Sequence, residues 1–320
     1  MTSAIVADNL TRHFGDLAAV DGLDLEIEAG EVFGVLDHNG AGKTTTVRLL
    51  NGVLQPSGGS MRVLGLDPAS QGPELRRRTG VLTESPSLDD RLTARMNLRI
   101  YADIYGVPKA TVDQRVTELL ERFDLLERAD EKVGAYSKGM RQRLALARTL
   151  VHSPELIFLD EPTAGLDPSV SRDVHALIRH LSQSERRTVF LCTHNLVEAQ
   201  RLCDRVAVLA QGKLLAQGTP AELGARLGRR QRVRIRVGAA QTAAAVEALQ
   251  EMGEGIGVEP LDEEGGIRVF GVGHDGIPAL VARLVACDLH IYRVAEEEVS
   301  LEDVYFALQD DAAAALERTV

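Results

Sequence analysis

One segment near the N-terminus has the residue types and spacing that suit the binding of a polyphosphate. It follows the apolar run Val32–Leu36 and consists of Asn39, Gly40, Ala41, Gly42, Lys43, Thr44 and Thr45. Glycines let backbone N–H groups turn toward phosphate oxygens, because a side chain would block the approach. Lys43 then supplies a charge to the β- and γ-phosphates, and Thr44 offers its hydroxyl to Mg²⁺. The segment therefore predicts a nucleotide-binding loop that opens a helix.

This loop departs at its first position from the pattern G-x-x-x-x-G-K-[ST], because Asp37 stands where the pattern has glycine. An aspartate tolerates a left-handed backbone better than most residues, although at some cost. Its carboxylate would lie near the phosphates, where like charge is unfavourable, unless it points away and accepts backbone hydrogen bonds. We expect nucleotide binding to persist and Asp37 to affect its strength.

An acidic pair follows a second apolar run, Leu156–Leu159. Asp160, at the end of a buried strand, can reach Mg²⁺ directly or through water. Glu161 is displaced toward the γ-phosphate and can orient or deprotonate an attacking water. His194 follows a third apolar run, Thr188–Cys192. Because parallel strands deliver their carboxyl ends to one edge of a sheet, we expect His194 to contact the γ-phosphate there.

The elements that must position these residues fall into two predicted domains. Over residues 1–220, short strand-like runs alternate with helical patterns, which predicts an α/β fold with a parallel sheet. A helical insert is expected over about residues 85–152, and an antiparallel strand group near the N-terminus. Residues 221–320 show the order β-α-β-(β)-α-β, which predicts a small ferredoxin-like α+β domain.

The composition is that of a globular protein. The chain has 320 residues, of which 44% are hydrophobic, and a formal net charge of −11, which argues against a general nucleic-acid binder. No apolar run reaches the roughly 18 residues of a membrane span, and the N-terminus has no signal pattern. The three cysteines have no metal-ligand spacing, so buried reduced thiols are expected.

A further motif, Tyr136-Ser137-Lys138-Gly139-Met140, precedes the acidic pair. With the other motifs in this order, residues 3–220 resemble the nucleotide-binding subunits of ABC transporters, and this segment looks like their signature motif L-S-G-G-Q. Ser137 and the Gly139 backbone open a helix predicted from Met140 to Val151, which makes an anion site. The resemblance implies that Ser137, Lys138, Gly139 and Met140 face the ATP of a second protomer, so that two chains enclose two ATP molecules head to tail.

Further positions carry over from this resemblance. Phe14 matches the aromatic residue that stacks on adenine, with a simple core phenylalanine as the alternative. Glu84 stands where the family usually has the glutamine that touches Mg²⁺ and the water and senses the membrane partner. Asp167 matches the residue that crosses the dimer interface, and His194 matches the switch histidine. The resemblance therefore implies catalysis by Glu161 and His194, and Mg²⁺ contacts from Thr44, Glu84 and Asp160.

The expected fold is thus a P-loop NTPase core of the ABC type with a helical insert, followed by the small α+β domain. The segment Glu296–Tyr305 resembles the tail of ATPases that pair with exporters of drugs, antibiotics, lipids or ions. We expect an ATPase at the cytoplasmic face of the membrane that drives a separate transmembrane permease, as a homodimer or heterodimer without nucleic acid. Two alternatives stay open. One is a soluble ABC ATPase of translation or DNA maintenance, and the other is a hydrolysis-poor nucleotide-binding subunit.

Overall fold

The computed structural model describes residues 3–37, 42–85, 87–226, 232–253, 255–261, 264, 266–297 and 300–317. The chain divides into two compact units, Met1–Gln217 and Gly218–Val320. The strands of the first unit are β1 (Ser3–Phe14), β2 (Leu17–Glu28), β3 (Val32–Leu36), β4 (Gly58–Val63), β5 (Thr79–Leu82), β6 (Leu156–Asp160), β7 (Thr188–Thr193), β8 (Arg205–Ala210) and β9 (Lys213–Gly218). Its α-helices are α1 (Lys43–Leu50), α2 (Pro68–Arg76), α3 (Ala94–Ile104), α4 (Lys109–Arg122), α5 (Lys138–Thr149), α6 (Pro168–Gln183) and α7 (Leu196–Leu202).

The central sheet of the first unit has the strand order β5-β6-β7-β3-β8-β9. Strands β3, β6 and β7 are buried along their whole length, which explains their uninterrupted apolar sequences. β7 pairs in parallel with both neighbours, so that Thr193 lies opposite Leu36 and Cys192 lies opposite Asp160. This register brings the ends of the three predicted functional strands to one edge of the sheet.

A second sheet of the first unit has the order β2-β1-β4 and is antiparallel. Its apolar face shares one core with the central sheet, in which Ile5 and Leu23 lie in the same buried cluster as Phe158 and Phe190. The helices α3, α4 and α5 fall within the range of about residues 85–152 for which a helical insert is predicted. α5 begins at Lys138, two residues before the expected Met140, because the side chain of Ser137 caps the helix by accepting from the backbone N–H of Met140.

The second unit contains α8 (Pro220–Arg226), β10 (Arg232–Val237), α9 (Thr242–Gln250), β11 (Gly257–Pro260), β12 (Gly266–Phe270), α10 (Ile277–Ala286), β13 (Ile291–Glu297) and α11 (Leu301–Glu317). Its sheet is antiparallel with the order β11-β12-β10-β13. The core packs Val233 and Ile235 of β10 with Leu249 of α9 and Leu280 of α10. This order and the two helices are those of a ferredoxin-like module, so the predicted fold class is confirmed.

Across the part of the chain that the structure describes, none of the helices combines the length and the apolar character that crossing a membrane requires.

Candidate nucleotide-binding site

The phosphate loop joins β3 to α1, and its described part begins at Gly42. Gly42 has φ +104°, and a Cβ atom there would lie 2.3 Å from the carbonyl oxygen of Ala19, so no other residue fits without a backbone shift. The predicted site residues Asn39, Gly40 and Ala41 lie outside the described residues. Asp37, the departure from the motif, is buried, and its backbone carbonyl accepts a hydrogen bond from Lys43 Nζ at 3.0 Å.

The lysine of the loop faces the acidic pair at the end of β6. Lys43 Nζ lies 3.3 Å from Glu161 Oε1, and both side chains are about nine-tenths buried, with 10% and 11% exposure. A buried ammonium group needs a partner, and here the carboxylate of Glu161 supplies it. The charge that Lys43 would offer to a phosphate is therefore paired with the carboxylate of Glu161.

The predicted cation contacts lie beside this ion pair. Thr44 Oγ1 donates to Asp160 Oδ2 at 3.3 Å. Burial raises the pKa of Asp160, and the charges of Glu161 and Glu84 raise it further, against the opposing effects of Thr44 and Lys43. The protein thus holds a desolvated carboxylate and a hydroxyl side by side, which is an oxygen donor set of the kind that Mg²⁺ takes.

Glu161 is fixed against the end of β7. Its backbone has φ +49°, an unfavourable conformation for a residue with a side chain. Its N–H donates to the carbonyl of Cys192 at 2.9 Å. Its Oε1 accepts from the backbone N–H of His194 at 2.9 Å and lies 2.8 Å from His194 Nδ1. These contacts hold the carboxylate in one orientation.

The predicted phosphate-loop residues from Gly42 to Thr45 line one cleft of about 390 Å³ together with the predicted metal and catalytic residues. Its lining is Gly42, Lys43, Thr44, Thr45, Glu84, Asp160, Glu161, Ala164 and His194. The cleft therefore brings together a cation, three carboxylates and an imidazole from four separate segments of the sequence.

Phe14 does not line this cleft. It lies at the end of β1 with 45% of its surface exposed, and the guanidinium of Arg12 stacks over its ring at 4.6 Å from the centroid. The alternative of a core phenylalanine is therefore wrong. An exposed aromatic face of this kind suits stacking with a base.

The predicted signature residues are also not among the described residues that line the cleft. Ser137, Lys138, Gly139 and Met140 are at the start of α5. A Cβ atom at Gly165 would meet the Lys138 ammonium group, and one at Gly139 would lie 3.2 Å from Val170. Asp167 occupies the N-cap position of α6. The start of α5 thus packs against the loop and helix that follow the acidic pair.

Sequence reasoning missed two buried polar residues near the site. Gln142 of α5 donates from Nε2 to the carbonyl of Pro162 at 2.6 Å, which ties the signature helix to the acidic loop. Glu198 of α7 is 1% exposed and accepts hydrogen bonds from several segments. The pattern Asn195-x-x-Glu198 is a helix-capping signal, but nothing in it indicates a buried carboxylate.

Fold and cleft are those of an α/β nucleoside-triphosphate-binding domain. The family model described as ABC transporter matches residues 20–164. The daunorubicin/doxorubicin resistance ATP-binding protein DrrA of Streptomyces peucetius is 37% identical over 308 residues, which are 96% of this chain and 92% of that protein. A fluoroquinolones export ATP-binding protein of Mycobacterium tuberculosis is 39% identical over 310 residues, which are 95% and 92% of the two chains. The Nod factor export ATP-binding protein I of Cupriavidus metallidurans is 40% identical over 70% of this chain and 73% of its own.

Solved structures agree with these relatives. The ATP-binding subunit of an ABC transporter superposes with a TM-score of 0.65 at 28% identity, over 70% of this chain and 93% of that one. The cbiO1 protein of Clostridium perfringens, part of the ABC transporter complex cbiONQ, superposes with a TM-score of 0.64 at 28% identity. The match covers 71% of this chain and 92% of that one. The chain belongs to the ABC transporter family, as an ATP-binding subunit, and the resemblance inferred from its motifs is confirmed.

Proposed function

We propose that this protein is the ATP-hydrolysing subunit of an ABC exporter and that it drives a separate transmembrane permease. The observation that carries the proposal is the convergence of Lys43, Asp160, Glu161 and His194 in one cleft. Relatives that cover nearly the whole chain are named for drug resistance or fluoroquinolone export, which supports the exporter assignment.

The contacts of the cleft support a division of labour among its residues. Lys43 leaves Glu161 and pairs with the phosphates when nucleotide enters, because both anions compete for one ammonium group. Glu161 then accepts a proton from the attacking water through Oε2, since Oε1 is engaged by His194. His194 holds this carboxylate and contacts the γ-phosphate.

Thr44, Asp160 and Glu84 are the proposed Mg²⁺ contacts. Bound there, Mg²⁺ would neutralise charge on the β- and γ-phosphates. The hydrogen-bonded pair of Thr44 and Asp160 supports this set, and Glu84 lines the same cleft.

A dimer completes the proposed site. Within one chain, Ser137–Met140 and Asp167 are not among the described residues that line the cleft. A second copy, or a related chain, would supply them across the interface. We assign residues 1–220 as the nucleotide-binding domain, with its insert over about 85–152, and residues 221–320 as an accessory domain.

An apolar stripe on α3 suits the permease contact. Met96, Ile100 and Ile104 recur every four residues and are 52%, 44% and 69% exposed. On the same helix, Tyr101 lies under the guanidinium of Arg148, which donates to the carbonyl of Ser87 at 2.5 Å. Ser87 follows three residues after Glu84, which lines the cleft. Movement of α3 would therefore be transmitted to the cleft through the contacts of Arg148 with Tyr101 and Ser87.

Purification of the tagged chain from detergent-solubilised native membranes tests this proposal. We expect a stoichiometric multi-span membrane protein, and ATP turnover that Lys43→Ala abolishes. Ile100→Asp should release the membrane protein and leave basal turnover unchanged. The control Val285→Asp changes an apolar residue of α10 that is exposed to 61%, against 44% for Ile100, and should release nothing. Co-purification of ribosomal or DNA-repair proteins alone would instead favour the soluble ATPase.

A second candidate is the hydrolysis-poor subunit. It is favoured by Asp37, whose backbone carbonyl accepts from Lys43, and by Glu84, which lines the cleft. Both place negative charge near the phosphates. Persistent ATP binding without turnover, even when the co-purified permease is present, would support it.

A further inference from the structure

A buried carboxylate lies directly behind the cleft. Glu198 is in the first turn of α7, and only 1% of it is exposed. Its backbone N–H donates to Asn195 Oδ1 at 3.0 Å, which fixes the start of the helix. A charge so deeply buried is tolerated only when hydrogen-bond donors satisfy it.

Three donors surround this carboxylate, and they come from three segments. Glu198 Oε1 accepts from Thr163 Oγ1 at 2.8 Å and lies 2.9 Å from His175 Nε2. Glu198 Oε2 accepts from Thr193 Oγ1 at 2.8 Å. Thr163 lies in the loop that begins with Glu161, and Thr193 immediately precedes His194.

The histidine among the three donors connects the carboxylate to the proposed dimer interface. His175 belongs to α6, which begins next to Asp167. Glu198 therefore joins the loop of the proposed base, the strand end that carries the switch histidine and the helix that starts at the interface. No other described carboxylate bonds to all three segments.

The hydroxyl of Thr193 stands between two carboxylates. Its oxygen is 2.8 Å from Glu198 Oε2 and 3.5 Å from Glu161 Oε2. The backbone N–H of Asn195 donates to the same oxygen at 3.0 Å. A hydroxyl has one proton to donate, and it goes to Glu198, the nearer acceptor. Glu161 Oε2 is thereby left without this donor and stays available for the proton of a water.

We propose that Glu198 is a positioning residue for ATP hydrolysis. It accepts the Thr193 hydroxyl proton in place of Glu161. It also fixes the positions of the loops of Glu161 and His194 relative to α6. This inference rests on the proposed function, because it concerns the same hydrolysis site. It adds a residue that touches neither nucleotide nor metal.

The variant Glu198→Gln tests the role, because the amide keeps the volume but offers only one acceptor oxygen. We expect kcat to fall about 10–100-fold, as for other residues that orient a catalytic group. The KM for ATP and the Kd of a non-hydrolysable ATP analogue should change less than about twofold, since the phosphate loop is not part of the network. Glu155→Gln is the matched control, because Glu155 pairs with Arg78 at the surface and should change neither constant.

Thr193→Val provides a second test in a variant that keeps the Glu198 charge. It removes the hydroxyl that links Glu198 to the strand end before His194, and the loss of this link should lower kcat with an unchanged KM. Because both changes act through one contact, the double variant should be little slower than the slower single variant. Should Glu198→Gln fail to give a cooperative thermal transition, the kcat and KM of Thr193→Val decide the question.

Three results would overturn the positioning role. The first is a kcat of Glu198→Gln close to that of the wild type. The second is a lower kcat of Glu198→Gln together with a higher KM and a lower thermal midpoint. The third is a double variant whose loss in kcat equals the product of the two single losses. If Glu198→Gln does not fold, an unchanged kcat in Thr193→Val overturns it. Failure of the proposed function looks different, because the wild-type protein itself would then neither bind nor hydrolyse ATP.

Discussion

The ion pair between Lys43 and Glu161 predicts that the variant Glu161→Gln binds ATP more tightly but hydrolyses it more slowly. Glu161→Gln removes the charge that holds Lys43 at 3.3 Å and leaves the shape of the side chain almost unchanged. The amide cannot act as a base, so hydrolysis should fall. It also no longer competes with the phosphates for Lys43, so ATP binding should become tighter.

The size of each effect follows from the geometry. Across 3.3 Å, the Coulomb attraction is about 5 kcal/mol at an effective dielectric constant of about 20, and the net contribution is smaller because both buried charges lose hydration. Hydrogen bonds to charged groups contribute about 1.5–3 kcal/mol net, so release of Lys43 should lower the Kd of ATP about 10–100-fold. Loss of a general base should lower kcat about 10²–10⁴-fold.

The assay measures equilibrium ATP binding without turnover and steady-state phosphate release on the same preparation. Glu185→Gln is the control, because Glu185 pairs with Arg122 and Arg187 away from the cleft. Turnover of Glu161→Gln at the wild-type rate would refute its role as the base. A weaker Kd with a normal thermal midpoint would refute the competition between Glu161 and the phosphates for Lys43.

Three further predictions concern single side chains. Asp37→Gly removes a carboxylate buried beside the loop and should tighten ATP binding in isothermal titration; an unchanged or weaker Kd would contradict this. Phe14→Ala should weaken ATP binding by about 1–3 kcal/mol, the usual loss when base stacking is removed, whereas Phe14→Tyr should bind normally; equal binding by all three proteins would exclude stacking. Burial lowers the pKa of His152, aided by the charges of Arg187 and Arg115, so the native protein binds fewer protons than the unfolded chain. Stability should therefore fall as the pH drops below about 6.5, and His152→Gln should lose less between pH 7.5 and 5.5 in thermal melts.

Much of the fold was predictable because its signals are local. The runs Val32–Leu36 and Leu156–Leu159 are short and wholly apolar, which identified buried parallel strands, and both lie in the central sheet. The order β-α-β-(β)-α-β similarly identified the ferredoxin-like unit. Where an end was misplaced, as at the start of α5, the capping side chain of Ser137 decided it.

The sequence by itself determined the chemistry of the site, because a phosphate loop and an acidic strand end are made by neighbouring residues. Only the tertiary structure decided how those residues are paired. Lys43 and Glu161 are 118 positions apart, and their contact depends on the register of β3, β7 and β6. The exposure of Phe14 and the burial of Glu198 likewise depend on what packs around them. A local pattern does not contain that information, since burial is a property of elements that are distant in the chain.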